Sequence, residues 1–173
     1  MEQVGDNRAG WLAGMSLTHP EFRKPSCDTV LVRGAPGSGK TTYCNSIATA
    51  ADVVIDLDEC FTEVCGVHGH RASPEHFTAA VLLRNKKINA LSRKKHGVAY
   101  IIVCSPTDAE TEWWKASLGC SVVTMDASLA DIEARRIGLE RKHLAARWFA
   151  EAKSGDWQAP KAKVAVGLDG WPV

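Results

Sequence analysis

Four short apolar runs, separated by longer segments of mixed character, divide the chain. Each run is rich in β-favouring residues and short enough to be a strand buried on both faces. The predicted strands are Thr29–Val32, Asp52–Ile55, Val98–Cys104 and Ser121–Met125. Because helical patterns alternate with these strands, the sequence predicts an α/β fold with a mainly parallel sheet flanked by helices on both faces. Such sheets bind ligands at the carboxyl ends of their strands.

The segments between the strands predict helices. They cover residues 42–50, 59–64, 74–95 and 108–118, with another helix opening at Ser128 and a last one around Trp148. The helix over 74–95 carries the clearest signals, because Ser73 is a good N-cap, Pro74 suits the first helical position and apolar residues recur at helical spacing from Phe77 to Leu91.

The two ends of the chain lack such periodicity. Residues 1–26 predict a flexible or loosely docked arm, and residues 154–173, rich in Gly, Pro and Lys, predict a tail. The segment between them, residues 27–153, has the size of one domain. The polar N-terminus has no signal-peptide core, and no apolar run is long enough to span a bilayer, so we expect a cytoplasmic protein without membrane contact.

Composition narrows the partners only slightly. The 173 residues carry a formal net charge of +1, so any contact with nucleic acid has to come from a local basic patch. Six positive residues between positions 84 and 95, with no acid among them, offer such a patch. A solvated helix face is the more common explanation of such a run. The six cysteines are irregularly spaced, which predicts reduced, mostly buried thiols.

One glycine-rich stretch carries the strongest chemical signal. Residues 34–41 fit the pattern of Gly, any four residues, Gly-Lys and then Ser or Thr, between a predicted strand and a predicted helix, as a phosphate loop requires. The predicted nucleotide contacts are Gly34, Ala35, Pro36, Gly37, Ser38, Gly39, Lys40, Thr41 and Thr42. Lys40 should reach the β- and γ-phosphates, and the Thr41 hydroxyl should bind Mg²⁺. ATP and Mg²⁺ are therefore the predicted ligands. The sequence lacks the Asn-Lys-x-Asp run that reads guanine, which counts against a GTPase, and the small size favours a kinase.

Two aspartates follow the second predicted strand. Asp56 and Asp58 alternate at its carboxyl end, which we expect to lie beside the first strand and the phosphate loop. A carboxylate there accepts the proton of an attacking hydroxyl or holds Mg²⁺. We interpret Asp58 as the catalytic base and a substrate contact, and Asp56 as a metal ligand. The alternative for either residue is a cap on the helix predicted from Glu59.

Arginines supply the remaining candidates. Arg84 falls within the apolar stripe of its predicted helix, where a guanidinium is costly unless Asp58 or a phosphate of the acceptor substrate meets it. The alternative is that its side chain passes the core and reaches water. Arg135, Arg136 and Arg141 follow the fourth strand, at the position of a lid. We interpret Arg135 or Arg141 as stabilising the transferring phosphoryl group and Arg136 as a nucleotide contact. A solvated basic face is the alternative.

In this order the motifs resemble a known group of enzymes. The segments that carry the resemblance are Val32–Thr41, Val53–Asp58, Ile101–Val103, Val122–Asp126, Ala134–Arg141 and Ala146–Phe149. Together they resemble the small phage-type P-loop kinases related to the kinase domain of polynucleotide kinases. Within that group the chain is most similar to the 5-hydroxymethyluracil DNA kinases of phages that hypermodify thymine.

The resemblance implies transfer of the ATP γ-phosphate to a hydroxyl on nucleic acid, with Asp58 at the position of the activating Asp. The hydroxymethyl group of 5-hydroxymethyluracil in DNA is the preferred acceptor, and the modified base has to leave the helix to reach a cleft. A phage-encoded protein of this kind acts in the host cytoplasm.

Other functions remain open. Polynucleotide kinases have an Arg shortly after the activating Asp, where this chain has Glu59, Cys60 and Phe61. A 5′-hydroxyl strand end and a nucleoside or small alcohol are therefore alternative acceptors. An alternative of another class is a nucleotide-gated binding or switch protein with little turnover.

Overall fold

The computed structural model of the protein describes residues 20–66, 74–135, 145–146 and 148–150. Its strands are β1 (Asp28–Gly34), β2 (Val53–Ile55), β3 (Val98–Cys104) and β4 (Ser121–Thr124). Its helices are α1 (Lys40–Ile47), α2 (Leu57–Cys65), α3 (Pro74–Ala90), α4 (Asp108–Leu118) and α5 (Leu129–Ala134), with a 3-10 turn at Leu91–Arg93.

The strands of the described sheet run parallel in the order β2-β3-β1-β4. The register of β1 and β3 runs from Asp28 opposite Val98 to Gly34 opposite Cys104. The predicted α/β fold with a mainly parallel sheet is therefore confirmed. The expectation that β2 lies beside β1 is wrong, because β3 separates them. Asp56, which follows β2, consequently reaches the phosphate loop across the end of β3.

Alternate side chains of the strands enter two layers of core. On one face the packed set is Leu31, Ile55, Ile88, Ile101, Val103, Trp114 and Leu118. On the other face Val32 and Ile102 pack against Cys44 of α1. Full burial of an aliphatic side chain contributes about 1.5–3 kcal/mol. Burial on both faces therefore stabilises the sheet. It also holds α1, and with it the preceding phosphate loop, against the apolar face of β1 and β3.

Side-chain capping and a change to 3-10 geometry help to move several helix ends from their predicted positions. The prediction of 59–64 for α2 is too short, because the Asp56 carboxylate accepts from the N–H of Asp58 at 3.0 Å and caps the helix from Leu57. α1 begins at Lys40 and ends at Ile47, earlier at both ends than predicted. The predicted helix over 74–95 gives way to the 3-10 turn after Ala90.

The predictions for β3 and α4 are confirmed to the residue. The start of α4 is fixed by a reciprocal capping box. The Thr107 hydroxyl accepts from the N–H of Glu110 at 3.0 Å, and the Glu110 carboxylate accepts from the N–H of Thr107 at 2.7 Å. Gly119 ends the helix in a left-handed conformation.

The described part of the N-terminal arm, residues 20–26, contacts α4 and the 3-10 turn that follows α3. The ring of Phe22 stacks on Trp114 at a centroid distance of 5.5 Å, and the N–H of Ser26 donates to the carbonyl oxygen of Leu91 at 3.0 Å. Residues 1–19 and the predicted tail lie outside the described residues, so the domain bounds 27–153 stay a prediction. Within the described part, no helix is long and apolar enough to cross a membrane. All six cysteines are free thiols.

Candidate active site

A cleft of about 960 Å³ lies where the phosphate loop meets the starts of α1 and α2. The end of β3 and Arg135 also line it. The predicted site residues in its wall are Pro36, Gly37, Ser38, Gly39, Lys40, Thr41, Thr42, Asp56, Asp58 and Arg135. Folding therefore gathers most of the predicted phosphate loop, both predicted aspartates and one predicted lid arginine around one space.

Two glycines shape the phosphate loop, residues 34–41. A Cβ at Gly34 would lie 2.8 Å from the Ser38 hydroxyl and 3.0 Å from the carbonyl oxygen of Met125, so a side chain does not fit where the loop leaves β1. Gly39 has φ of 90°, the left-handed conformation from which α1 begins. This backbone path places the first N–H groups of α1 at the cleft.

The loop also fixes a buried cation. Lys40 is only 7 % exposed, and its Nζ donates to the carbonyl oxygens of Gly34 at 2.9 Å and Ala35 at 2.7 Å. Beside it the Ser38 hydroxyl is buried and, within the described part of the chain, has no hydrogen-bond partner. An ammonium, an unsatisfied hydroxyl and a helix N-terminus at one place fit the oxygens of a nucleotide phosphate chain.

Thr41 and Asp56 form a hydrogen-bonded pair beside this loop. The Thr41 hydroxyl donates to Asp56 Oδ2 at 2.7 Å, while Asp56 Oδ1 accepts the capping bond from Asp58. Burial raises the pKa of Asp56, and the nearby Asp58 carboxylate adds to the rise, whereas the Thr41 hydrogen bond opposes it. A cation would relieve this cost of burial. A hydroxyl and a carboxylate next to a phosphate loop also fit the donor set for Mg²⁺ in such folds.

Asp58 lines the same cleft from the first turn of α2. We predicted it at the turn between strand and helix, and this position is wrong, because α2 already begins at Leu57. The capping role that we held open for both aspartates belongs to Asp56. Asp58 is therefore not the cap of α2, and it lines the same cleft as the phosphate loop.

Arg135 extends over the phosphate loop from the end of α5. Its Nη1 donates to the carbonyl oxygen of Gly37 and would lie 3.4 Å from a Cβ at Gly39. A guanidinium here is within reach of any phosphate that the loop holds. The other predicted lid arginines, Arg136 and Arg141, lie outside the described residues.

Arg84 is placed away from the cleft lining that the structure describes. It has no exposed surface, so the alternative in which its side chain reaches water is wrong. Its guanidinium lies 3.3 Å from Asn85 Oδ1 and 5.6 Å from the centre of the Trp114 ring. The side chain thus contributes to the packing between α3 and α4.

The basic residues between positions 84 and 95 have different surroundings. Arg84 is internal, Lys87 bonds to Glu63 of α2, and Lys94 donates to the carbonyl oxygen of Ala51 at 2.6 Å. Ala51 precedes β2, so the end of this segment lies at the amino edge of the sheet, opposite the cleft. The remaining basic residues of the segment are exposed, so a nucleic-acid patch there stays a prediction.

Two cleft residues escaped prediction although the sequence carried a signal. Glu59 and Thr62 line the cleft beside Asp58. Thr62 lies four residues after Asp58 and so shares its helix face. Burial raises the pKa of Glu59, and the charge of Asp56 raises it further. By contrast, no sequence pattern indicates Ser105, which has φ of 47° and donates its N–H to the carbonyl oxygen of Gly34 at 3.0 Å.

No protein-family model and no curated protein sequence matches this chain. Several solved structures do match the chain. A chain from the structure described as the Pnkp1/Rnl/Hen1 complex has a TM-score of 0.54 and 16% identity, over 87% of this chain and 46% of that one. TT1252 from Thermus thermophilus has a TM-score of 0.46 and 20% identity, over 80% of this chain and 82% of that one. The present chain thus spans about half the length of the first neighbour. At this identity the likeness concerns architecture alone, and the chain has an α/β P-loop fold with a mainly parallel sheet.

Proposed function

We propose that this protein is an ATP-dependent phosphotransferase that moves the γ-phosphoryl group to a hydroxyl on nucleic acid. The observation that carries the proposal is the single cleft lined by Lys40, the Thr41–Asp56 pair and Asp58. Binding of a nucleotide with its metal ion needs the Lys40 ammonium and the Thr41–Asp56 pair. A second carboxylate facing the same space is what transfer to an alcohol requires.

The nucleotide end of the cleft is built from the phosphate loop. Its N–H groups, the Ser38 hydroxyl and Lys40 hold the phosphates, with Gly34, Ala35 and Gly39 shaping the backbone. Thr41 and Asp56 would hold Mg²⁺, which supplies charge neutralisation at the β- and γ-phosphate oxygens. Arg135 adds a guanidinium over the loop, where it stabilises the charge on the transferring group.

Asp58 is the base in this scheme. Asp56 is committed to the Thr41 hydroxyl and to the cap of α2, which leaves proton transfer to Asp58. The acceptor oxygen forms a bond to the γ-phosphorus as the bond from that phosphorus to the bridging β–γ oxygen breaks. The hydroxyl proton passes to Asp58, and ADP leaves with the bridging oxygen.

The charge distribution in the cleft favours a hydroxyl on an uncharged group. Lys40 and Arg135, the cations in the described lining, both lie at the phosphate loop. The helix that carries Asp58 adds Glu59 and Thr62 instead. A strand end brings its own phosphate close to the reacting hydroxyl, and carboxylates repel it. We therefore prefer the hydroxymethyl group of 5-hydroxymethyluracil in DNA over a 5′-hydroxyl strand end, and a nucleoside or small alcohol stays the alternative.

The first test is transfer from γ-labelled ATP with Mg²⁺ to a panel of acceptors. The panel contains DNA with 5-hydroxymethyluracil, plain DNA with free 5′-hydroxyl ends, RNA ends and free nucleosides. We expect label in the hydroxymethylated DNA, and a rate that falls steeply with salt because contacts to DNA phosphates release counterions. Label confined to strand ends or nucleosides would keep the enzyme class and overturn the acceptor.

A nucleotide-gated switch is the competing function of another class. It predicts ATP binding without a phosphorylated product from any member of the panel. It also gives Asp58 no role, so substitution of Asp58 would leave ATP binding and its consequences unchanged. We place the proposed enzyme in the cytoplasm and its catalytic domain within residues 27–153.

A further inference from the structure

Arg33, the last residue before the first glycine of the phosphate loop, joins four parts of the fold. Its Nε donates to the Thr124 hydroxyl of β4 at 3.0 Å. Its Nη1 donates to Thr111 at 2.8 Å and to Asp108 at 2.9 Å, both on α4. Its guanidinium carbon lies 5.6 Å from the centre of the Trp148 ring. The edge of the guanidinium is thus bound by oxygens of the central domain, while its face is covered by an aromatic ring.

This double use of edge and face depends on arginine. A guanidinium is planar, donates from its edge and stacks through its face, whereas an ammonium is a point charge without a face. The partners are also unequal. Thr111 is 5 % exposed, while the side chain of Asp108 is 85 % exposed and its ion pair is screened by water. The buried Thr111 hydroxyl and the Trp148 ring are therefore the contacts that fix the side chain.

Trp148 follows the stretch that we assigned to the lid. With Phe149 it packs against a cluster formed by Ala35 of the phosphate loop, Ile132 of α5 and Ala145. Ile132 lies three residues before Arg135, which reaches Gly37. Residues that precede and residues that follow positions 136–144 therefore pack against the phosphate loop. Arg33 contacts the residues that follow these positions through the Trp148 ring.

We infer that Arg33 is a positioning residue that holds the segment bearing Arg135 on the phosphate loop through its stacking on Trp148. The inference rests on the proposed role of Arg135 in phosphoryl transfer. Arg33 does not line the described cleft. Its carbonyl oxygen accepts from the N–H of Met125, a lining residue, at 2.8 Å, whereas its guanidinium contacts β4, α4 and the Trp148 ring. Its effect on the reaction therefore passes through Arg135.

The test is a double-mutant cycle between Arg33→Met and Arg135→Ala, read as kcat for transfer and as KM for the acceptor. Arg135→Ala should lower kcat by at least about a hundredfold. Arg33→Met should lower kcat about tenfold with little change in KM, and should add almost nothing in the double variant, because both changes remove the same contact. Losses that multiply would overturn the inference, since they would show that Arg33 acts independently of Arg135.

Trp148 supplies a second route if Arg33→Met folds poorly. Trp148→Leu should reproduce the loss in kcat, and Trp148→Phe should restore most of it because the ring face remains. Asp108→Asn is the matched control, since it removes the charge of an exposed partner and leaves the stacking, so its kcat should equal that of the wild type. A Trp148→Leu variant with normal kcat and a lowered melting temperature would reduce Arg33 to a structural role. If the wild type transfers nothing, the proposed function fails first. The same cycle read as ATP affinity then still tests whether Arg33 acts through Arg135.

Discussion

Asp52 and Asp56 precede and follow the same short strand, β2, and their surroundings are opposite. Asp52 accepts from the N–H and the hydroxyl of Thr49, each at 2.8 Å, and from the N–H of Val98 at 2.6 Å. These bonds, led by the N–H of Thr49, hold its pKa below the usual range. Asp56 is buried, and burial raises its pKa. The fold thus favours the anionic form of Asp52 and disfavours the anionic form of Asp56.

The contrast extends to the two edges of the sheet, the amino edge where the parallel strands begin and the carboxyl edge where they end. At the amino edge, Gly97 packs so closely that a Cβ would lie 2.1 Å from the carbonyl oxygen of Ala51. At the carboxyl edge the fold instead keeps a buried ammonium, a buried carboxylate and an unsatisfied Ser38 hydroxyl around a cleft. Polar groups that stability alone would not retain are typical of sites that bind a ligand. The amino edge is therefore built for stability, and we assign the function to the carboxyl edge.

The largest effect should come from Asp58→Asn. Loss of a positioned base lowers transfer by roughly 10²–10⁴-fold, while ATP affinity and the melting temperature should stay near those of the wild type, because Asp56 rather than Asp58 caps α2. Single-turnover transfer and nucleotide titration measure both. Glu63→Gln is the matched control on the same helix, since Glu63 bonds Lys87 outside the cleft. Full transfer by Asp58→Asn would contradict the assignment of the base.

Asp56→Asn should separate function from stability. Its amide oxygen can still cap α2, but the variant lacks the charge for Mg²⁺, so Mg²⁺-dependent ATP affinity should fall at least about tenfold. Without ligand the variant should melt a few degrees higher than the wild type at neutral pH. The raised pKa of Asp56 means that its favourable contribution to stability exists in acid and is lost as pH rises through that pKa. Thermal melts across pH measure this, and a less stable variant at pH 7 would refute it.

The smallest effect should come from Asp52→Asn, with the opposite dependence on pH. Because the pKa of Asp52 is lowered, its contribution to stability is present above the usual value of 3.8 and is lost as pH falls through the lowered pKa. The variant should therefore melt slightly lower than the wild type at neutral pH, and the difference should vanish in acid. Transfer per folded molecule should be unchanged. A loss of transfer without a loss of stability would mean that the two edges of the sheet are not separate.

Much of the fold was predictable because its signals are local. The runs of β3 and of the helix that precedes β4 specify their own limits, through double-sided burial and the Thr107–Glu110 capping box. The start of α2 was not predictable, because it depends on whether Asp56 turns toward the helix or the cleft, and it does both. The strand order also escaped prediction. Insertion of β3 between β1 and β2 depends on long-range pairing that no window of sequence contains.

The site divides in the same way. Residues 34–41 predict a phosphate loop on their own, since spacing and glycine content carry its geometry. The basic run between positions 84 and 95 stays open as a nucleic-acid patch, because charge in a sequence does not show that Arg84 is buried and Lys87 paired. Arg33 gave no signal, although four parts of the fold meet at its guanidinium.

The sequence alone therefore determined the alternation of strands and helices, the phosphate loop and the identity of the two acids that follow β2. Each of these depends on neighbours within a few residues. Only the tertiary structure decided that Asp56 meets Thr41, that Asp58 faces the same cleft, that Arg135 returns to Gly37 and that Arg84 is internal. These relations join residues that are distant in the chain, and they exist because burial of apolar faces brings the carboxyl ends of parallel strands to one edge.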